Sequence, residues 1–408
     1  MPDYVKVSFV GDIMCEKPMQ LYAERHGFSS FEKIFSNTRE LFEESDYVVG
    51  NLETVFGGSK GGYTRELYNF NTPDQFAAAL SRSGIDMVTT ATNHSLDRGL
   101  EGLIRTISVL EKNGIEHTGT YSHEEDSRIF VKKVGNTRIA ILNYTYGTNV
   151  HETGVILSDE QLFHLNLLKP QTYHLQTYVG QRDIGAARKA FSGMLGKFIS
   201  TEQKMRIKQM LHLPYNLIRI DHLDMEELDV AYFEQIKTDV VQAREKADIV
   251  VACIHMGGQF NPEPGDFTKY VVQKLSEYGV DAIIANHPHI VQKFNMRDNI
   301  AVAYSLGNYS ISPLSVYLLR DYKPEYSIML HLYIDSAAIT GISFSILKIV
   351  EEKTRGLTVF PVDKLYEIIP KEEQKKLVSD IQFIFQRFTG MELEDNPVRH
   401  EYMVPGFF

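Results

Sequence analysis

The sequence predicts an α/β fold organised on a largely parallel sheet, and three observations carry that reading. Apolar runs of strand length recur along the 408 residues, segments of helical periodicity separate them, and a carboxylate, imidazole or carboxamide follows almost every run. Strand and helix in alternation build parallel sheets, because each helix returns the chain to the same end of the sheet. Ligand-type residues placed after the strands then share one edge, where open α/β sheets hold their ligands.

Tyr4 to Val10 alternates as a strand does, and Gly11-Asp12 follows at its carboxyl end. Asp46 to Val49 is the second strand and leads into Gly50-Asn51-Leu52-Glu53. Gly57 to Gly62 reads as a mobile surface loop, since it lacks the spacing and the Lys-Ser/Thr pair of a phosphate-cradling loop. Thr72 is placed to cap a helix that opens on Pro73. Ile85 to Thr90 is the third strand and delivers Asn93 and His94, with Asp97 just beyond. A helix from Leu100 to Lys112 closes at Asn113-Gly114, and Thr137 to Tyr144 is a further strand.

The rhythm breaks over residues 155–215, which read as a helical insertion. Ser158 with Gln161 and Ser200 with Gln203 have capping-box spacing, and Lys169-Pro170 is expected to end the first helix. Eight basic residues (Lys169, Arg182, Arg188, Lys189, Lys197, Lys204, Arg206, Lys208) face four acidic ones (Asp159, Glu160, Asp183, Glu202) there, inside a chain of net charge −11. Such a segment suits a lid over an anionic substrate or a docking site for a protein partner.

The alternation resumes with a helix from Val230 to Lys246 and a strand from Asp248 to Ile254, followed by His255. The helix Asp266 to Tyr278 leads to Val280 to His289, where an apolar strand stops at Asn286-His287-Pro288-His289. On an extended backbone residues two apart face one side, and Pro288 pushes His287 toward that conformation, so the two imidazoles are expected to be held together stiffly. Ala301 to Tyr304 is another strand, Ile328 to Ile334 and Ile342 to Ile349 alternate as antiparallel strands, and Lys371 to Phe388 is an amphipathic helix. Residues 1–350 are expected to form the main domain and 351–408 a C-terminal extension.

The acidic balance argues against a binder of duplex nucleic acid, whose affinity rests on basic surface. Cys15 and Cys253 do not have the spacing of a thiolate zinc site and read as reduced thiols. No apolar run is long enough to span a membrane and no leader pattern opens the sequence, so a cytoplasmic location is expected.

Asp12, Asn51, Glu53, Asn93, His94, His255, His287 and His289 all fall at strand ends. A mixed oxygen and nitrogen set suits one or two divalent ions such as Mn, Zn, Fe or Co, and a set this large favours two. The leading expectation is a hydrolase of phosphoesters in which the ions activate water and His94 protonates the leaving oxygen, with Asp97 capping the next helix or orienting His94.

In this order, Gly11-Asp12-Ile13-Met14, Asn51-Leu52-Glu53, Asn93 to Gly99, His255-Met256-Gly257, His287-Pro288-His289 and Ser305-Leu306-Gly307-Asn308 resemble the CapA proteins of capsule or poly-γ-glutamate biosynthesis. The resemblance covers roughly residues 5 to 315 apart from the insertion. It implies a calcineurin-like metallophosphoesterase fold, a sandwich of two mixed β-sheets flanked by helices. It also implies that Asp12, Asn93, His255, His287 and His289 are metal ligands, with Glu53 or Asn51 bridging. Met14 stands where metallophosphoesterases usually carry a second histidine, a loss that CapA-like proteins share; Met256 and Gln259 replace a usual Trp and acidic residue. The same resemblance offers other functions: synthesis or cleavage of a γ-glutamyl polymer, or a non-catalytic role in capsule assembly.

Overall fold

The computed structural model describes residues 4–172, 199–211, 218–225, 228–352, 356–393 and 395–404. Its strands in chain order are β1 (Val5–Ile13), β2 (Tyr47–Leu52), β3 (Met87–Thr89), β4 (Glu116–Thr118), β5 (Phe130–Val134), β6 (Thr137–Thr145), β7 (Ile249–His255) and β8 (Ala282–Asn286). They continue with β9 (Phe294–Arg297), β10 (Ile300–Ala303), β11 (Asn308–Ser310), β12 (Tyr326–Asp335), β13 (Ala338–Glu352), β14 (Gly356–Pro361) and β15 (Tyr402–Met403).

These strands make two mixed sheets, as the resemblance to CapA proteins implies. The first has the order β14-β13-β12-β1-β2-β3-β4, with β11 beside β1 and β15 beside β13; the second has the order β5-β6-β7-β8-β10-β9. β1 to β4 are mutually parallel, as are β6, β7, β8 and β10, while β12 joins β1 antiparallel. The alternating rhythm is therefore real but divided between two sheets, and the late alternating segments complete the first.

Alternation along each strand builds the layers. Phe9, Val49, Met87, Ile141, Val251 and Ile284 point between the sheets, where they meet Leu377, Ile381, Ile384 and Phe388 of the helix Lys371–Thr389. Val10, Ile13, Val48, Leu52 and Val88 point the other way, onto Phe35, Phe76 and Leu80. Leu142, Val250, Ala252 and Ile283 pack on the helices Val230–Lys246 and Asp266–Tyr278. The order is helices, sheet, sheet, helices. β13 runs across the boundary expected at residue 350, and the C-terminal helix shares the inter-sheet core.

Several local expectations change. Thr72 does not cap its helix: its hydroxyl meets Thr54 at 2.7 Å, and the helix Asp74–Ser81 starts with Pro73 as its N-cap. The glycine loop after β2 is clasped by Asn71, whose amide nitrogen donates to the carbonyls of Gly58 (2.9 Å) and Gly62 (2.7 Å) while its oxygen accepts from Gly57 at 2.8 Å. In the insertion, Gln161 reaches back to the Ser158 N–H at 3.2 Å, yet the short 3-10 helix Asp159–His164 stops well before Lys169-Pro170. Leu165 and Leu167 instead turn extended and bridge Thr120 and Thr145, burying their side chains. Ser200 and Gln203 do exchange capping bonds of 2.8 and 3.1 Å at the helix Thr201–Met210. Arg182, Asp183, Arg188, Lys189 and Lys197 lie outside the described residues.

Candidate metal centre

The carboxyl ends of β1, β2, β3, β7 and β8 meet at one buried point, where sequence reading places its ligands. Asp12 lies inside β1, not after it, at a register shift against β2. Gly11 makes that possible, because a Cβ there would sit 1.9 Å from the Gly307 carbonyl, which accepts the Asp12 N–H at 2.9 Å. Asp12 Oδ1 accepts from Asn51 Nδ2 at 2.7 Å, and Oδ2 lies 3.4 Å from His289 Nδ1 and 3.3 Å from the His287 N–H. Glu53, just past β2, puts Oε1 3.4 Å from His255 Nε2, 3.6 Å from His289 Nε2 and 4.0 Å from His287 Nδ1. Asn93 Oδ1 stands 2.7 Å from His255 Nε2.

His287 and His289 converge, but by a route opposite to the extended one expected. Their φ angles are +105° and +59°, positive values rare for side chains with a Cβ. Bonds on both sides hold them there: Asp12 Oδ2 takes the His287 N–H, the Pro288 carbonyl accepts from the Phe260 N–H at 2.8 Å, and Asn308 Nδ2 donates to the His289 carbonyl at 2.7 Å. Backbone strain concentrates at functional sites and persists only where neighbours over-determine it.

The electrostatics follow from burial. Burial and then the Asp12 charge push the Glu53 carboxyl up to about 8, with His289 and His94 pulling the other way. Burial would raise Asp12 too, but the hydrogen bond and charge of His289 outweigh it and hold that carboxyl below its ordinary range. His289 rises to about 9 against its burial, through Glu53 and Asp12, whereas burial pushes His255 down to about 3 and His287 down as well.

Among the described residues, both Glu53 oxygens and His287 Nε2 are buried without a hydrogen-bond partner. Buried polar atoms are nearly always paired, so this donor set fits a cation. Among the described residues two groups satisfy ligand geometry, Glu53 with His255 and His287, and Asp12 with Glu53 and His289, the ligand atoms of each lying within 4.8 Å of one another. Glu53 belongs to both. Asn51 does not offer itself in the same way, because its amide nitrogen faces Asp12 and its oxygen accepts from Thr89 Oγ1 at 2.9 Å. Cys15 and Cys253 are buried free thiols outside both groups, and burial raises both, Cys253 to about 12.

His94 stands beside the cluster with Nε2 3.8 Å from Glu53 Oε1 and Nδ1 2.6 Å from Asp97 Oδ2. Asp97 does not cap the following helix; the same oxygen accepts the Phe70 N–H at 2.6 Å, and the Phe70 ring stacks on His94 at 4.3 Å. Sequence reading missed Phe70, Asn149, Tyr146 and Arg219. Asn149 Nδ2 lies 3.1 Å from His94 Nδ1, and Tyr146 packs on His287 at 4.8 Å. Their segments carry no local motif. Asn308, the last residue of the final motif shared with CapA proteins, sits in β11 with Oδ1 3.0 Å from His289 Nδ1.

The sequence model described as bacterial capsule synthesis protein PGA_cap matches residues 6–312. The chain belongs to the PGA_cap family. The PGA_cap match contains every residue of the cluster, from Asp12 to Asn308, and stops before β12. Among related proteins, "PGA biosynthesis protein CapA" of Bacillus subtilis strain 168 is 22% identical over 317 residues, covering 75% of this chain and 63% of that protein. "Capsule biosynthesis protein CapA" of Bacillus anthracis is 22% identical over 307 residues, covering 74% of this chain and 59% of that protein. This PGA_cap chain thus spans about three fifths of the length of those relatives. A 5′-nucleotidase from Candida albicans SC5314 superposes with a TM-score of 0.39 at 10% identity, covering 92% of this chain and 57% of that one. Among the described residues no helix is long and apolar enough to cross a membrane.

Proposed function

We propose that this chain is a metal-dependent hydrolase of phosphoesters, with Asp12, Glu53, Asn93, His255, His287 and His289 as ligands of divalent ions and Glu53 shared between two positions. The observation that carries the reading is the pair of Glu53 oxygens, buried and unpartnered between two sets of imidazole nitrogens. A buried polar group left unpaired costs about 1–3 kcal/mol, more when charged, and a cation removes that cost. Mn, Zn, Fe and Co all accept such a set. A divalent ion, when bound, supplies Lewis acidity and makes water a nucleophile near neutral pH.

The chain's own residues do the rest. Asp97 accepts the Nδ1 proton of His94, which fixes the ring's orientation and turns Nε2 toward the cluster. His94 then gives its Nε2 proton to the leaving oxygen, a service needed most by poor leaving groups. Asn51, anchored on Thr89, holds the Asp12 carboxylate in place as a positioning residue and not as a ligand.

The family match favours a second reading, action on the γ-glutamyl amide of a capsule polymer at the same centre. Elemental analysis of purified protein, followed by a screen of phosphomonoesters, phosphodiesters and polyglutamate, separates the two. Stoichiometric metal with ester turnover supports the first, and glutamate release from polyglutamate supports the second. Metal with neither activity leaves a capsule-assembly subunit, and protein that takes up no ion after reloading with each of the four metals sinks all metal-based readings.

A further inference from the structure

Beside the cluster, at Asn93 and His94, lies a cavity of about 50 Å³ whose lining also includes Asn149, Glu152, Arg219 and Gln259. Among its described lining residues Arg219 is the only Lys or Arg, so it is the fixed positive charge beside a site rich in carboxylate and imidazole. Its position is built into the backbone. The Arg219 N–H donates to the Gln259 carbonyl at 3.0 Å, and its own carbonyl lies against Gly258, where a Cβ would come within 2.2 Å of it. Two residues on, the Asp221 carboxylate accepts the Thr268 N–H at 2.9 Å and the Thr268 hydroxyl, while its carbonyl accepts the Asp266 N–H at 3.0 Å. The segment is thereby fastened between the loop after β7, which carries His255, and the start of the helix Asp266–Tyr278.

A guanidinium presents a planar fork that matches two oxygens of a phosphate or carboxylate, which a lysine meets only as a point charge. We propose that Arg219 binds the anionic group of the substrate beside the cluster, holding two of its oxygens while His94 faces the bond to be broken. This rests on the reading of the cluster as a hydrolytic metal centre, and its test separates the two. The shared chemistry is an oxyanion, supplied by a phosphoester or by the free carboxylate of a γ-glutamyl unit.

Inorganic phosphate and glutarate are titrated calorimetrically into wild type, Arg219→Lys and Arg219→Ala, each in metal-loaded and metal-stripped form, with metal content measured alongside. The expected result is an affinity about 10- to 100-fold weaker in Arg219→Ala, partly recovered in Arg219→Lys, at unchanged metal stoichiometry. Preference for phosphate supports the role on a phosphoester, and preference for glutarate supports it on a carboxylate-bearing substrate. Equal affinities in all three proteins, or no anion binding by wild type, overturn it; so does metal loss confined to the variants, which makes Arg219 a support of the centre instead. Failure of the metal reading shows elsewhere, as wild type that takes up no ion, and the stripped-protein titrations still report on Arg219.

Discussion

β1 passes through two buried polar clusters that follow opposite rules. In its first half, Ser8 Oγ meets both His331 Nδ1 and Ser45 Oγ at 2.7 Å. His331 Nε2 lies 3.2 Å from Ser345 Oγ, which donates to the His400 carbonyl at 2.7 Å. Lys6 Nζ donates to Glu401 at 2.9 Å, and Glu401 also accepts from the hydroxyls of Tyr333 and Ser343. Each of those groups is paired. Further along the same strand, Asp12 borders a cluster in which Glu53 and His287 keep buried atoms with no partner. Both clusters have buried centres, Ser8 and His331 in one and Asp12, Glu53 and His287 in the other, and both are rich in ionisable groups, so composition does not tell them apart. Completeness does: a closed network is finished by folding, whereas an open one is finished by what binds to it.

Breaking the open cluster is therefore expected to abolish binding and spare the fold. Replacing His287 and His289 together by alanine is expected to reduce metal from stoichiometric to background after mild chelation and reloading; wild-type metal in that variant would put the ions elsewhere. His94→Ala comes next. It is expected to keep its metal and lose about 10²- to 10⁴-fold in turnover, with a larger loss on poor leaving groups. An equal loss on good and poor leaving groups removes the acid role.

The contrast also explains what was legible in the sequence. Strand ends could be read because each is a local apolar run followed by a polar residue, and Asp12, Glu53, Asn93, His255, His287 and His289 do meet in space. What was not legible is set by partners distant in the chain. The positive φ of His287 and His289 depends on Asp12, Phe260 and Asn308, and Asn51 takes its orientation from Thr89. Thr72 prefers Thr54 to the helix end, and the extended Leu165 and Leu167 depend on Thr120 and Thr145. Periodicity alone did not divide the strands between two sheets, since it reports that strands are parallel and not which sheet they join; the ordered motifs shared with CapA proteins carried that expectation. Most tellingly, the closed cluster carries His331, Lys6 and Glu401 with no local motif; the pairing of β1 with β12 joins the first two, and the pairing of β15 with β13 brings Glu401 to them.

Breaking the closed cluster is expected to do the reverse, costing stability and leaving metal binding intact. Glu401→Ala strands the Lys6 ammonium, whose side chain is 8% exposed, and two hydroxyls. Removing one partner of a buried ion pair typically costs about 3–5 kcal/mol. Urea unfolding checks this, and a loss below about 1 kcal/mol would mean that Lys6 finds another partner.

The smallest effect sharpens the comparison through pH. Burial first, and then the Lys6 charge, push His331 down to about 3, with Glu401 pulling the other way and His400 adding to the depression. An unfolded chain binds a proton at this residue as pH falls through about 6.5, while the folded chain stays neutral there until about 3. Its contribution to stability is therefore fully present above 6.5 and is lost progressively as pH drops toward 3. Between pH 7 and 5 that loss is on the order of 2 kcal/mol. Glu401, held down to about 2 by partners that outweigh its burial, acts mainly below its ordinary value of 4.5, and His400, raised against its burial by its bonds to Glu44 and Asp363, is common to wild type and the variant His331→Gln. His331→Gln keeps an amide able to bond Ser8 and Ser345 but has nothing to titrate. Urea midpoints at pH 7 and 5 are expected to move further apart in wild type than in His331→Gln. The imidazoles around Asp12 are common to both proteins and cancel in the difference. Equal shifts would show that His331 takes up its proton in the folded state, and the network around Ser8 would then be open to protons as the one around Glu53 is proposed to be open to metal.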